Sequence, residues 1–406
     1  MRVLIVNQAF HPDVVATAQY AADLAVALVG AGYEVTVISS SRGYADPEIR
    51  FAARESWRGV DIVRVGGSGF GKGAYWRRAL DFGTFMLGCM YALLKADRHD
   101  VVIALTSPPL IGSGVALLKP VLKARLVSWI MDLNPDEAVA AGVLRESSLA
   151  ARVLQAVQKF GLRRSETIVV LDRFMKARIA SKGVDSSRII VIPPWSQDDS
   201  VRYDANGRNE FRQRHGWSNK FVVMYSGNHS PCHPLKTLGD AASRLRHRTD
   251  IVFAFVGGGT EYGELKRHAD RHSLTNMCFL PYQPREMLAA SLSSADLHVV
   301  AMGDPFVGIV HPSKLYNVLA VGAPILYIGP PVSHATEVGS VVQHFYSFRH
   351  GDAAGVAAAI ANVASAKPLY RNLPLVQYSR ERLLSGFVTL VERSEQNGAC
   401  AKAIGA

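Results

Sequence analysis

Cysteine is scarce in this chain of 406 residues: Cys89, Cys232, Cys278 and Cys400 share no paired spacing and form no CxxC. A disulfide framework is thereby excluded, and the thiols read as the reduced cysteines of a cytoplasmic protein. Long apolar runs are also missing. The longest candidate, residues 79–96 (ALDFGTFMLGCMYALLKA), is interrupted by Asp81 and short for a membrane span. It reads first as a buried or amphipathic helix. Lys72, Arg77 and Arg78 precede it and Lys95 and Arg98 close it, so a membrane-facing helix is the sharper reading. Met1-Arg2 leads at once into Val3-Leu4-Ile5-Val6, which leaves no room for a secretory signal. Acidic residues are the minority charge, 34 against 45 basic ones, for a net +11. Such a surplus suits nucleic acid, an anionic membrane face or anionic small substrates. No Lys/Arg block is dense enough for a nucleic-acid arm and no nucleic-acid-binding motif occurs, so that class is set aside. Walker A, GxSxG and HExxH patterns are absent, as is a GxGxxG after the first strand. The common ATPase, hydrolase and dinucleotide classes lose support, and no metal is expected.

What is present is a repeated alternation of short apolar runs and helical patterns. The chain is 49% hydrophobic and 19% charged, hence globular, and its length exceeds one ordinary core. Two domains of roughly 150–200 residues are expected. Residues 3–6, 35–39, 60–65, 100–105, 125–131, 167–171 and 189–192 read as strands, with an Ala-rich helix over 18–31 stopped by Gly32. Continuous apolar strands need cover on both faces, which implies an α/β, doubly wound parallel sheet. Its strand-end loops, 7–17, 106–109 and 132–137, lie on the edge where such sheets bind ligands. Pro193-Pro194-Trp195 closes a first domain, 1–195, and polar residues 196–219 read as a linker with a short helix over 209–215. Strand patterns resume at 221–225, 251–256, 277–280, 297–300 and 325–328, giving a second domain over 220–375. Leu383, Leu384, Phe387, Leu390 and Val391 stand at helical spacing, so 376–395 holds a terminal helix and 396–406 a disordered tail.

The densest chemistry lies in residues 310–324. His311-Pro312-Ser313-Lys314 is a loop, Leu315, Val318 and Leu319 begin an apolar helix, and Gly322-Ala323-Pro324 stops it before a strand. A free helix start offers N–H groups to an anion, while Ser313 and Lys314 add a hydroxyl and a cation. Three strand ends of the same domain precede it: Ser226-Gly227-Asn228, Gly257-Gly258-Gly259 and Leu280-Pro281-Tyr282. Singly, the glycines are equally a tight turn, and His229, His233 and Lys236 are equally solvated loop residues. Convergence on one sheet edge is more specific, and it fits a diphosphate seat with Tyr282 facing a base. In the first domain, Asp132 and Asp136 follow a strand. Paired carboxylates serve acid/base or metal chemistry. Asp136 and Glu137 also fit the first turn of a helix after Pro135, so function falls to Asp132 and structure to the other two.

Seven segments carry a resemblance that covers most of the chain. They are Asn7-Gln8 to Gln19-Tyr20 with Asp23-Leu24-Ala25; Thr106-Ser107-Pro108-Pro109; Asp132-Leu133-Asn134-Pro135; Tyr225 to Asn228; Phe255 to Gly259; Phe279 to Arg285; and Pro312 to Pro324. Together they resemble the retaining glycosyltransferases of family 4. LPYQPRE and PSKLY resemble a subgroup that builds bacterial cell-surface polysaccharides. The resemblance implies the GT-B fold: two Rossmann-like domains facing across a cleft, with the last helix crossing back to the N-terminal domain. It implies transfer of a hexosyl or N-acetylhexosaminyl group from a nucleoside diphosphate sugar, expected to be UDP-linked. The acceptor would be a saccharide or a lipid-linked saccharide, the anomeric configuration would be retained, and neither metal nor cofactor would be needed beyond that co-substrate. Donor contacts would fall to Gly227, Asn228, His233, Lys236, Gly257, Gly258, Gly259, Pro281, Tyr282, Pro312, Ser313, Lys314, Leu315 and Asn317. Acceptor contacts would fall to Thr17, Gln19, Thr106, Ser107 and Asp132. The catalytic roles would be those of Lys314, as cation for the leaving diphosphate, and of Asp132. Where many members carry a Glu pair around this loop, Val307 and Asn317 stand here. Pro231 occupies the place of an expected basic residue, for which His233 and Lys236 would compensate. A transferase for soluble small-molecule acceptors, a nucleotide-sugar epimerase and a non-catalytic nucleotide-sugar-binding protein are the alternatives. The enzyme is expected in the cytoplasm, peripheral on the inner face of the cell membrane.

Overall fold

Arg2–Val6 (β1, RVLIV) buries every residue but its first, as a strand covered on both faces must. In the computed structural model, which describes residues 1–44, 46, 48–67, 75–196, 201–366 and 376–403, it lies inside an eight-stranded sheet. The other strands are β2 (Glu34–Ser40), β3 (Arg54–Trp57), β4 (Val60–Val65), β5 (Val101–Ala104), β6 (Arg125–Ile130), β7 (Thr167–Val170) and β8 (Ile189–Val191). Their order is β3-β4-β2-β1-β5-β6-β7-β8, and all neighbours are parallel except β3, which runs antiparallel to β4. The sequence does not announce β3, because RESW is polar and mostly exposed. Helices Ala16–Gly30 and Arg380–Ala403 cover one face, where Leu24, Leu28, Phe387 and Val391 join Val3, Ile5 and Trp129 in one core. Helices Tyr75–Lys95 and Ile111–Leu122 cover the other, setting Phe85, Cys89 and Val115 against Leu4, Val6 and Val102.

The terminal helix belongs to this first unit, which comprises Met1–Gln197 and Arg380–Ala406. Arg380 pairs with Asp23 at 2.7 Å, and Asp23 also accepts a 2.8 Å hydrogen bond from Trp195 Nε1. Helical backbone runs on to Ala403, so the expected disordered tail is corrected over 396–403. Residues 404–406, like Lys72, lie outside the described residues.

The second unit, Asp198–Ser379, holds a wholly parallel sheet of six strands. These are β9 (Phe221–Asn228), β10 (Ile251–Gly258), β11 (Met277–Leu280), β12 (Leu297–Ala301), β13 (Ile325–Ile328) and β14 (Phe345–Phe348), in the order β11-β10-β9-β12-β13-β14. Renumbered within the unit, this is the 3-2-1-4-5-6 order of a dinucleotide-binding sheet. β9 and β10 outrun their apolar patterns because their ladder continues through Gly227 opposite Gly257 and Asn228 opposite Gly258. The expected linker is corrected from residue 201 onward. Helix Ala205–Arg214 starts on an Asp204 side-chain cap, buries Phe211, and sends Arg208 and Arg212 to Asp296 at 2.5 and 2.9 Å. The charges that resembled a solvated stretch fasten this helix to the start of β12. Residues 197–200 lie outside the described residues.

Candidate functional site

The strand order puts a switch point between β9 and β12, where crossovers leave in opposite directions and open a crevice at the carboxyl ends. The end of β9 meets the start of helix Lys314–Val321 there. Gly322, left-handed at φ +68°, stops that helix after eight residues. Lys314 is its first residue. The Lys314 Nζ stands 4.1 Å from the centroid of the Tyr225 ring and donates to the Tyr225 hydroxyl. That hydroxyl donates in turn to the Asn228 carbonyl at 2.7 Å. Gly227 makes room: on its backbone of φ +141° a Cβ would come within 3.3 Å of Lys314 Cε. A cation over an aromatic face keeps part of its stabilisation after losing water, but only part. Desolvation accordingly lowers the Lys314 ammonium to about 7, against a smaller opposing effect of Cys232.

Two histidines share this environment. His229 is fully buried, and neither ring nitrogen has a hydrogen bond of good geometry. Burial first, then the Lys314 charge, lowers its pKa to about 4. His233 sets Nδ1 2.8 Å from the Ala301 carbonyl, and burial with Lys314 holds it well below the ordinary imidazole range. Neutral His233 therefore supplies no charge in place of Pro231. Lys236 is largely exposed, with its ammonium 2.7 Å from Asp240 on the same helix. The expected compensation is corrected for His233. No group of three or more His, Cys, Asp or Glu side chains is placed to hold a metal ion among the described residues.

The glycines have a structural cause as well as room for a ligand. Gly257 and Gly259 sit at φ +126° and +137°, and a Cβ would run into the Gly227 carbonyl from the first and the His229 carbonyl from the second. β9 and β10 thus end in bare backbone. Gly258 lies under the Tyr282 ring, whose hydroxyl donates to the Gly258 carbonyl at 3.1 Å while most of the side chain stays exposed. Pro281 beside it is exposed, and Pro312 is buried. The helix start is less open than the sequence suggests. Ser313, Leu315 and Tyr316 donate their N–H groups to the carbonyls of His311, Pro312 and Ser313 at 2.8, 3.0 and 3.1 Å. The Ser313 side chain makes no cap bond. Leu315 is corrected to a core residue: its side chain is fully buried with Val300, Leu319 and Tyr327. Val307 packs half-buried against that same cluster, and Asn317 is half-buried on the helix. Behind the loop, His311 Nε2 lies 2.9 Å from the Tyr316 hydroxyl, itself 2.9 Å from His334 Nε2. The sequence names His311 and the segments holding Tyr225 and Tyr316 but not these contacts, which join residues 5, 18 and 89 positions apart.

In the first unit the switch point lies between β1 and β5. Ser107 N–H donates to Asn7 Oδ1 at 3.3 Å and ties the two strand-end loops together. Gln19 folds its amide back onto the Val14 carbonyl at 2.5 Å, and Thr17 is half-buried in the same helix. Asp132 and Thr106 line one small pocket with Ser128, Asn134 and Gln158. Burial first, then Glu137, raises the Asp132 carboxyl to about 7. Asp136 is buried and paired with Lys182 at 2.8 Å and Arg178 at 3.5 Å, a use within the fold.

Two units with Rossmann-like strand order, one of them holding a lysine at its switch point, define an α/β protein with two doubly wound sheets. Comparison with known proteins names the family. The Glycosyl transferase 4-like domain matches residues 16–195, and Glycosyl transferases group 1 matches residues 207–373. The chain belongs to the family 4 glycosyltransferases of the GT-B fold. A colanic acid biosynthesis glycosyl transferase of Escherichia coli, WcaI, is similar to it at 26% identity over 365 residues, 85% of this chain and 86% of that one. Sucrose-phosphate synthase from Thermosynechococcus elongatus shares the fold with a TM-score of 0.77 at 15% identity, covering 98% of this chain and all of the other. HepE of Anabaena, solved with UDP-glucose, shares it with a TM-score of 0.66 at 13% identity, covering 99% of this chain and all of the other.

Proposed function

We propose that this glycosyltransferase moves a sugar from a UDP-linked donor to a saccharide or lipid-linked acceptor in cell-surface polysaccharide synthesis, with retention and without a metal. The observation that carries this reading is Lys314: a half-buried cation over Tyr225, at a helix start, beside strand ends reduced to bare glycine backbone. A diphosphate placed there would meet a positive charge that costs no solvent reorganisation as the leaving group gains charge. Tyr282 over Gly258 offers a ring and backbone edges to a base. In the first unit, Asp132 and Thr106 offer an acceptor a carboxyl and a hydroxyl in one pocket. The relative named for colanic acid synthesis supports the polysaccharide role, and the neighbour solved with UDP-glucose supports the donor. Action in the cytoplasm, on an acceptor displayed at the inner membrane face, follows from that role.

The test is a donor screen that reads release of nucleoside diphosphate, with and without lipid extract. UDP release that needs the extract, and whose product keeps the donor's anomeric configuration, is expected. Release with another nucleotide only, inversion, or dependence on a divalent cation would overturn the corresponding part. Val307 and Asn317, which stand where many members of the family carry a Glu pair, keep two alternatives in view. Conversion of the donor sugar without any acceptor would mark an epimerase, and tight donor binding without turnover would mark a binding protein.

A further inference from the structure

The layer of helices on one face of the first sheet has an outer side that catalysis leaves unused. Tyr75–Lys95, Ile111–Leu122 and Leu149–Arg164 lie side by side in it. Glycines bring them close: Gly114 stands against Met86 and Met90, and Gly161 against Ser113. Each helix turns one side inward, through Phe85 and Cys89, Val115 and Ala116, or Ala151 and Leu162. Each also carries large apolar side chains on the opposite side, one turn apart. Leu87 and Tyr91 are 73% and 65% exposed, Leu117 and Val121 are 65% each, and Leu149 and Val153 are 75% and 52%. Single exposed apolar residues need no explanation, whereas three adjacent helices exposing them on one surface do.

Charge says what covers it. Helices Ile111–Leu122 and Leu149–Arg164 contain no Asp or Glu, and the second carries Arg152, Lys159, Arg163 and Arg164. Lys95 Nζ lies 5.7 Å from the Tyr91 ring centroid and Arg164 Cζ lies 5.2 Å from that of Phe160. Exposed aromatic rings flanked by long cations suit the depth at which acyl chains give way to phosphate headgroups. We propose that this three-helix surface docks on a bilayer containing anionic phospholipid, lying in the interface rather than spanning it. No helix among the described residues is long and apolar enough to cross a membrane. The proposal deepens the reading of a lipid-linked acceptor and rests on it for its purpose, while its geometry stands on these side chains alone.

The test is flotation of the whole protein with vesicles of phosphatidylcholine alone or with about 30 mol% phosphatidylglycerol, a content that gives a strongly negative surface. Binding at least tenfold tighter to the anionic vesicles, weakened by added salt, is expected. The pair Leu117→Ser and Val121→Ser should weaken it about tenfold through lost apolar burial, and the pair Arg152→Ser and Arg163→Ser by tenfold or more through lost charge. These positions are exposed, so the fold is kept, and thermal unfolding checks it. Equal partition of the wild type with and without anionic lipid overturns the proposal, as do variants that bind like the wild type. So does a wild-type dimer that the serine pair turns into monomers without any vesicle binding. Binding of UDP-glucose, and turnover on a detergent-dispersed acceptor, are measured on the same samples. Vesicle binding without turnover would sink the functional reading and leave the surface standing; turnover without vesicle binding would do the reverse.

Discussion

Lys314→Met removes the ammonium and keeps most of the stem that packs beside Gly227. In the free protein this amine titrates at about 7, because burial removes part of its water and the Tyr225 ring and hydroxyl do not fully replace that hydration. A diphosphate within hydrogen-bond reach favours the charged form and pushes the pKa back toward the ordinary lysine value of about 10.4. Binding above pH 7 therefore takes up a proton. The sign follows: affinity is greatest below pH 7 and falls toward tenfold per pH unit above it, until the bound-state pKa is reached. Between pH 6 and pH 8.5 the loss amounts to about thirtyfold. At pH 6.5 a charge-assisted hydrogen bond of about 1.5–3 kcal/mol makes Lys314→Met weaker by about 10- to 150-fold. That gap narrows at high pH, where the wild type has lost its own advantage. UDP-glucose is the probe, because both its phosphates are esterified and neither titrates in this range. Calorimetry in two buffers of different ionisation enthalpy reads the proton uptake, expected to approach one at pH 8.5. Folding gives an independent check. A lysine whose pKa is lowered in the folded state binds more protons when unfolded, so wild-type stability rises with pH from about 7 toward 10.4. Lys314→Met lacks this rise and is at least as stable at pH 7. Flat wild-type affinity across the range with no proton uptake would refute the argument, and so would a Met variant that binds normally.

Asp132→Asn should lower turnover with acceptor and leave UDP-glucose affinity unchanged, because Asp132 lies in the first unit; an unaltered kcat/KM for acceptor removes it from the site. Its raised pKa makes wild-type stability fall as pH climbs from about 4 to about 7, and the Asn variant should lose that slope in thermal unfolding. Gly257→Ala must place a Cβ against the Gly227 carbonyl at φ +126°, which costs about 1–3 kcal/mol or more and should lower both the unfolding temperature and nucleotide affinity; an unchanged melting curve contradicts the geometry. Phe387 is fully buried with its ring 4.7 Å from that of Trp129, so Phe387→Ala should cost about 3–5 kcal/mol in urea unfolding of the first unit, and a loss under 1 kcal/mol would show that the terminal helix contributes little.

Much of the fold was legible because burial writes itself into local pattern. Met277–Leu280 and Ile325–Ile328 are the strands their apolar runs describe, and Gly322 ends its helix where the sequence places a stop. Polar segments were misjudged for the same reason. RESW forms an edge strand whose pairing is its own support, and residues 205–214 resemble solvated chain only until Asp296 is seen to bind both arginines. Charge in a sequence does not say whether it faces water or a partner.

By itself the sequence determined two α/β halves, the glycines at the strand ends and the loop that delivers Lys314. Each depends on residues close together in the chain, through period, turn chemistry and helix capping. Only the tertiary structure decided what Lys314 is. Tyr225 stands 89 residues before it, and their meeting at the switch point takes part of the ammonium's water, holds His229 and His233 neutral, and brings the titration of Lys314 to about 7. Lys236, three residues after His233, went instead to Asp240 on its own helix. A pKa and an ion pair are set by distance and solvent in space, and neither is encoded in spacing along the chain.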